Sequence, residues 1–214
     1  MSCNGGRPSI SGKTSDSIDK KSVRYIKQKG DLDTALIVCD SVYPNKGYRI
    51  TLASIGKETN EGLKPNTIFI FDKMTNGKQV QICRDSIYSR VREVRFEDFN
   101  GDKIKDILVQ NYSDVRSNWS YYLYVIDTAN NAVKKIKGFA SIKEPRYIPK
   151  YNLIDNYATS GRNWTDFYKI HGDSVVDFDI VVQEPELNKK STYDRDYKRA
   201  LNTILRKEKY QQIK

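Results

Sequence analysis

Short apolar stretches broken by turn residues run from about residue 23 to residue 182. The strands they predict are Ala35 to Val42, Tyr48 to Ala53, Thr67 to Phe71, Gln79 to Cys83 and Ile107 to Tyr112. Tyr121 to Ile126, Asn152 to Tyr157, Phe167 to Ile170 and Val175 to Val182 complete the set. In the last, Val176, Phe178, Ile180 and Val182 fall on one side, with Asp177 and Asp179 between them. A period of two buries one face and wets the other, which suits antiparallel rather than parallel sheet.

Two stretches repeat one order: apolar strand, Asp, a turn with Asn, second strand. They are Phe69 to Val80, turning at Asn76-Gly77, and Tyr124 to Val133, turning near Asn130-Asn131. Asn-Gly tolerates the positive φ that a tight hairpin needs. A third hairpin follows around His171-Gly172-Asp173. The expected fold is therefore mainly β and antiparallel: a propeller-like array or curved meander of repeated hairpins, with a C-terminal helix.

The period then changes. Ser191-Thr192-Tyr193-Asp194 has the form of a helix cap, and Tyr197, Leu201, Ile204 and Leu205 recur at helical spacing. One apolar stripe predicts a helix from about Tyr193 to Lys209, docked on the β body. At the other end, residues 1–21 are rich in Ser, Gly, Lys and Asp and read as a tether. The expected division is tether 1–21, β domain 22–188 and basic helix 189–214.

Charge sharpens this picture. Formal net charge is +10, and from Lys189 onward nine Lys/Arg stand against three Asp/Glu, a balance of +6. That leaves a solvated helix, an anionic partner or an anionic membrane surface as explanations. No zinc finger, RRM or KH signature accompanies the charge, so nucleic acid is not expected. No apolar run approaches the roughly 20 residues that span a bilayer. Tyr, with 15 copies, dominates the aromatics and suits strands and contact surfaces. A single histidine, His171, beside a Gly-Asp turn, leaves little for two-histidine metal chemistry or a Ser-His-Asp triad. The expectation is a non-enzyme.

Of three cysteines, Cys39 and Cys83 lie in apolar strands, as a disulfide or as buried thiols. Cys3 is different. It precedes Asn4-Gly5-Gly6-Arg7 and the polar tether, an order that resembles a mature bacterial lipoprotein lipidated at Cys3. Its expected location is the bacterial cell envelope, in the periplasm or on the outer membrane, with contact to the bilayer through the lipid alone.

The strongest motif is Asp98-Phe99-Asn100-Gly101-Asp102-Lys103-Ile104-Lys105-Asp106, followed by Ile107-Leu108-Val109. Oxygen-bearing side chains stand at positions 1, 3, 5 and 9. A hard cation such as Ca²⁺ takes six to eight oxygens, so Asp98, Asn100, Asp102 and Asp106 are candidate ligands, with the Ile104 carbonyl as a fifth. The loop is not a full EF-hand. Lys103 stands where Gly is expected, and Val109 where a bidentate Glu is expected.

This loop and its strand resemble the calcium loops of FG-GAP and related β modules. The wider order is Tyr121 to Asp127, Gly138-Phe139, a Pro-containing stretch, then Ser160-Gly161-Arg162-Asn163-Trp164 ahead of Phe167-Tyr168. It is similar to a family of bacterial envelope lipoproteins over roughly Val91 to Val182. The family includes immunity proteins of type IV secretion systems that deliver lysozyme-like toxins, and is related in fold to periplasmic inhibitors of invertebrate-type lysozyme. The resemblance implies a calcium-binding lipoprotein that inhibits a lysozyme-like peptidoglycan hydrolase, its protein partner.

It also implies a contact loop, since such inhibitors push a Ser-Gly-x-x-Tyr loop into the enzyme's cleft. Here Ser160, Gly161, Arg162 and Asn163 match, with Trp164 in place of Tyr. Arg162 offers a fork for a carboxylate, Trp164 a broad apolar face, and Gly161 a turn open to few other residues. A chain at +10 repels basic lysozymes, so an acidic or neutral hydrolase is the expected target. The alternative is a glycan-binding or structural surface lipoprotein without inhibitory activity.

Overall fold

The computed structural model describes residues 24–28, 34–55, 63–185 and 192–212. Cys3 and the tether 1–21 lie outside them. Strands β1 (Arg24–Gln28), β2 (Thr34–Val38), β3 (Tyr48–Ser54), β4 (Thr67–Thr75) and β5 (Lys78–Ile87) pair in chain order into one antiparallel sheet. A middle sheet follows in the same manner from β6 (Val94–Glu97), β7 (Asp106–Ser113), β8 (Trp119–Asp127) and β9 (Ala132–Lys135). The third contains β10 (Arg146–Ile148) and β11 (Leu153–Asp155). It skips β12 (Trp164–Thr165) and continues with β13 (Phe167–His171) and β14 (Ser174–Asp177). Strand β12 instead pairs with β15 (Val182–Gln183), and helix α1 (Tyr193–Gln212) ends the order.

The result is mainly β: among the described residues there are four antiparallel sheets and one C-terminal helix, and none of the sheets closes into a barrel. Turn chemistry places the hairpins. Asn76 and Gly77 sit at φ 50° and 74°, in the left-handed region that a two-residue hairpin turn requires.

Three apolar cores stack the layers. Ile37, Ile50, Leu52, Phe69 and Phe71 of the first sheet meet Ile107, Val109, Tyr124 and Ile126 of the middle one. Phe69 stacks on Tyr124 with ring centroids 4.2 Å apart. The opposite face of the middle sheet sends Leu108, Tyr121 and Leu123 against Phe139, Ile142 and Ile154. Beyond the third sheet, Leu153 and Phe167 meet Ala200, Leu201 and Ile204 of α1. Alternate residues of β7 thus enter different cores, and both its faces are buried. The one-wet-face expectation fails there because a sheet lies on either side.

The run Val175 to Val182 is also not one strand. β14 ends at Asp177, and Asp179 takes φ 53°. Phe178 and Ile180 pack at the edge of the helix core, while Val176 is 46% exposed. Burial still alternates from Asp177 to Val182, but the backbone leaves the third sheet after Asp177.

The helix starts at Tyr193, as its stripe predicts. The Thr192 hydroxyl donates to Asp196 at 2.6 Å; Ser191 lies outside the described residues. Cys39 and Cys83 are free thiols, Cys39 fully buried in the first core.

Candidate functional site

The Asp98–Asp106 loop joins β6 to β7, so both ends are held by paired strands. Its side chains fold back on the backbone. Asp98 Oδ1 accepts from the N–H groups of Asn100 (3.1 Å) and Gly101 (2.6 Å), and Oδ2 from that of Lys103 (2.9 Å). Asn100 Oδ1 accepts from the Asp102 N–H, and its amide donates to Asp102 Oδ2. Asp102 Oδ1 accepts from the Ile104 N–H at 2.7 Å. These turns need left-handed backbone, and Gly101 and Lys103 supply it at φ 79° and 69°. Lys103 takes the strained conformation that its place in the motif implies.

Asp106 differs in being fully buried. Its carboxylate accepts from the N–H of Phe99 (2.9 Å) and of Ile126 on β8 (3.2 Å). Burial pushes its pKa up to about 7 against the pull of those bonds, and the charges of Asp102 and Asp98 push the same way. Tyr43 closes the loop from the first sheet, donating to the Lys105 carbonyl at 2.6 Å.

The donor set is all hard oxygen, which suits calcium, and the mutual repulsion of its carboxylates is what a divalent cation relieves. The N–H contacts leave carboxylate oxygens further lone pairs. As arranged, the acidic, His and Cys side chains among the described residues form no metal-holding group of three. The Ile104 side chain packs against the first core, with its carbonyl left in the loop.

The second candidate, Ser160 to Trp164, is clamped rather than loose. The Ser160 N–H donates to Asn163 Oδ1 (3.0 Å), and the Ser160 hydroxyl donates to the Arg162 carbonyl (2.6 Å). Arg162 Nε donates to the Glu184 carbonyl (2.7 Å), and Asn163 Nδ2 to the Glu184 carboxylate (2.9 Å). Arg162 remains exposed.

At Gly161 and Trp164 the loop departs from the sequence expectation. Gly161 avoids positive φ, and nothing lies within 4 Å of where its Cβ would be, so the turn does not need glycine. Nor is Trp164 a free anchor. It is half-buried in β12, and its Nε1 donates to Asp166 at 2.9 Å. Its backbone pairs with Gln183 of β15, and Lys143 Nζ lies over its ring at 5.7 Å.

Other residues shape this end of the molecule. The buried Asn118 donates to the Thr159 carbonyl (2.8 Å) and accepts from its N–H (2.7 Å). Asp114 accepts from Arg116 N, Asn118 N and Lys143 Nζ, and Lys143 above all holds its carboxyl well below the usual range. The Asp114-to-Asn118 turn was readable as an Asx signal; the roles of Glu184 and Thr159 were not, being remote in sequence. His171 is exposed at the tip of β13. No helix among the described residues is long and apolar enough to cross a membrane.

No family model matches the chain, and no curated protein matches it. A solved structure, described as that of a Xanthomonas type IV secretion system related protein, is similar over 78% of this chain and 96% of its own. Identity is 13% and the TM-score 0.42, too loose a likeness to carry function.

Proposed function

We propose that this chain is a non-enzymatic binding protein of the bacterial envelope, lipid-anchored through Cys3, that inhibits or confers immunity to a lysozyme-like peptidoglycan hydrolase. The observation that carries the reading is the clamped loop at 160–164. The Glu184 N–H donates to the Asn163 carbonyl at 2.9 Å and the Ser160 N–H to Asn163 Oδ1, so the backbone is held while Arg162 stays exposed. A loop fixed before it meets a partner loses little entropy on binding. A guanidinium displayed in this way suits the catalytic carboxylates of a muramidase cleft. In the same proposal calcium is held by Asp98, Asn100, Asp102 and Asp106 with the Ile104 carbonyl. Its part is to neutralise the loop's carboxylates and tie β6 to β7.

The test is inhibition of purified peptidoglycan hydrolases, acidic and basic ones alike. At least one is inhibited with one-to-one stoichiometry, and Arg162→Ala weakens that inhibition by about 2 kcal/mol, roughly thirtyfold. If no hydrolase is inhibited, the reading falls. Calcium has its own readout. Melting temperature rises with free calcium and drops in chelator, and an Asp98→Ala/Asp102→Ala variant loses the response. Identical curves in both buffers rule the ion out.

A further inference from the structure

Three connections meet at the end of the molecule that bears the 160–164 loop. One joins β5 to β6, where the Arg90 N–H donates to the Asn111 carbonyl at 3.1 Å. The next joins β7 to β8, and the Asn118–Thr159 pair of hydrogen bonds fastens it to the segment after β11. Each is stiff. Ser89 Oγ donates to the Gln110 carbonyl (2.7 Å) and accepts from the Arg92 N–H (3.0 Å). Asp114 closes the β7–β8 turn, with Ser117 held at φ 62°.

What this stiff end displays is apolar. Val115 is 100% exposed at the apex of the β7–β8 turn, and Val91, Tyr112 and Tyr157 are exposed on the same three connections or the strand end beside them. A valine held out by a rigid turn with none of its surface covered is fully available to a partner, and a fixed apolar side chain loses little entropy when it is seated. The charge around it is mainly positive. Arg90, Arg116 and Arg162 are all exposed. Among the nearby acids, Asp114 is paired with Lys143 at 2.7 Å, and Glu184 takes the Asn163 amide; Glu93 is exposed at the border.

We propose that this three-loop end docks a folded protein whose surface carries an apolar pocket inside an acidic rim, with Val115 seated in the pocket and Arg90, Arg116 and Arg162 on the rim. Charge complementarity selects the occupant: three arginines on a fixed frame favour carboxylates, and like charge excludes basic partners. The proposal shares Arg162 with the hydrolase reading and rests on it only for that residue.

The test places a photo-cross-linking residue at Val115 in the full chain, or at Val80 on the distant β4–β5 hairpin as control. Each protein is irradiated with purified acidic and basic lysozyme-like hydrolases, with phosphatidylglycerol vesicles, and in envelope extract, where adducts are identified and re-measured as purified proteins. The expected adduct forms from position 115 alone, with an acidic protein. Its affinity falls about tenfold or more with Val115→Asp or with Arg116→Glu, and falls again as salt rises. If that protein is a hydrolase, both readings stand. If it is acidic but not a hydrolase, the docking surface stands and the hydrolase reading falls. An adduct with lipid, with a second copy of this chain or with a basic protein overturns the docking surface. So does position 115 behaving like position 80, or affinity indifferent to both substitutions. If a hydrolase binds through Arg162 while Val115→Asp and Arg116→Glu change nothing, only the 160–164 loop survives.

Discussion

Two glycines in the candidate loops face opposite demands. Gly101 holds φ 79°, and a Cβ on it would lie 2.5 Å from the Tyr147 hydroxyl. Gly161 has ordinary backbone and open space around it. Gly101→Ala is therefore expected to cost about 1–2 kcal/mol in urea denaturation, while Gly161→Ala stays within about 0.5 kcal/mol of the parent. Equal effects would contradict the assignment. Asp106 sets a second expectation. Its folded pKa is raised to about 7 from 3.8, so its proton favours the folded chain. The stabilisation is complete below the unfolded value and is lost as pH rises through about 7. In chelator, stability is expected to rise by about 1 kcal/mol from pH 8 to pH 6, and Asp106→Ala removes the difference. If calcium binds as proposed, it favours the ionised carboxylate and is expected to flatten the profile.

Helix α1 depends on the third sheet for its position. Ile204 is fully buried against Leu153 and Phe167, and Tyr197 donates to the buried Asp155 at 2.5 Å. Arg146 completes that site with a fork onto both Asp155 oxygens, at 2.9 and 2.6 Å. Loss of side-chain volume at Ile204 leaves a cavity under the helix, so Ile204→Ala is expected to cost about 2–4 kcal/mol. Tyr197→Phe removes one hydrogen bond to a charged group and costs about 1.5–3 kcal/mol. Denaturation of both variants checks these figures, and no loss in either would mean that α1 does not depend on the third sheet. Arg195, Lys198, Arg199, Arg206 and Lys207 of the helix stay exposed.

Across the molecule, first sheet, middle sheet, third sheet and helix stack through three successive cores. The first core holds Cys39, whose thiol burial pushes up to about 12. Its reaction with a thiol reagent at pH 8 requires opening of that core, whereas Cys83 is half-buried on β5. Timed labelling followed by mass mapping is expected to modify Cys83 well before Cys39. Equal rates in native buffer would mean the first core is open.

Sequence alone determined what depends on neighbours along the chain. Alternation marked most of the longer strands, Asn76-Gly77 marked its hairpin, and the stripe through Tyr197, Leu201 and Ile204 marked the helix, because period and positive φ are local properties. The spacing of Asp98, Asn100, Asp102 and Asp106 was equally legible, and Lys103 in the Gly position foretold a left-handed lysine. Short strands such as β6 and β10 gave too few alternations to register. Tertiary structure decided what burial and pairing decide. It buried both faces of β7 and ended the Val175–Val182 strand at Asp177, with Asp179 in the left-handed region. It also paired Trp164 with Gln183 of β15 and tied Arg162 to the carbonyl of a glutamate 22 residues away. Those outcomes rest on contacts between residues far apart in sequence, and local periodicity carries no record of them.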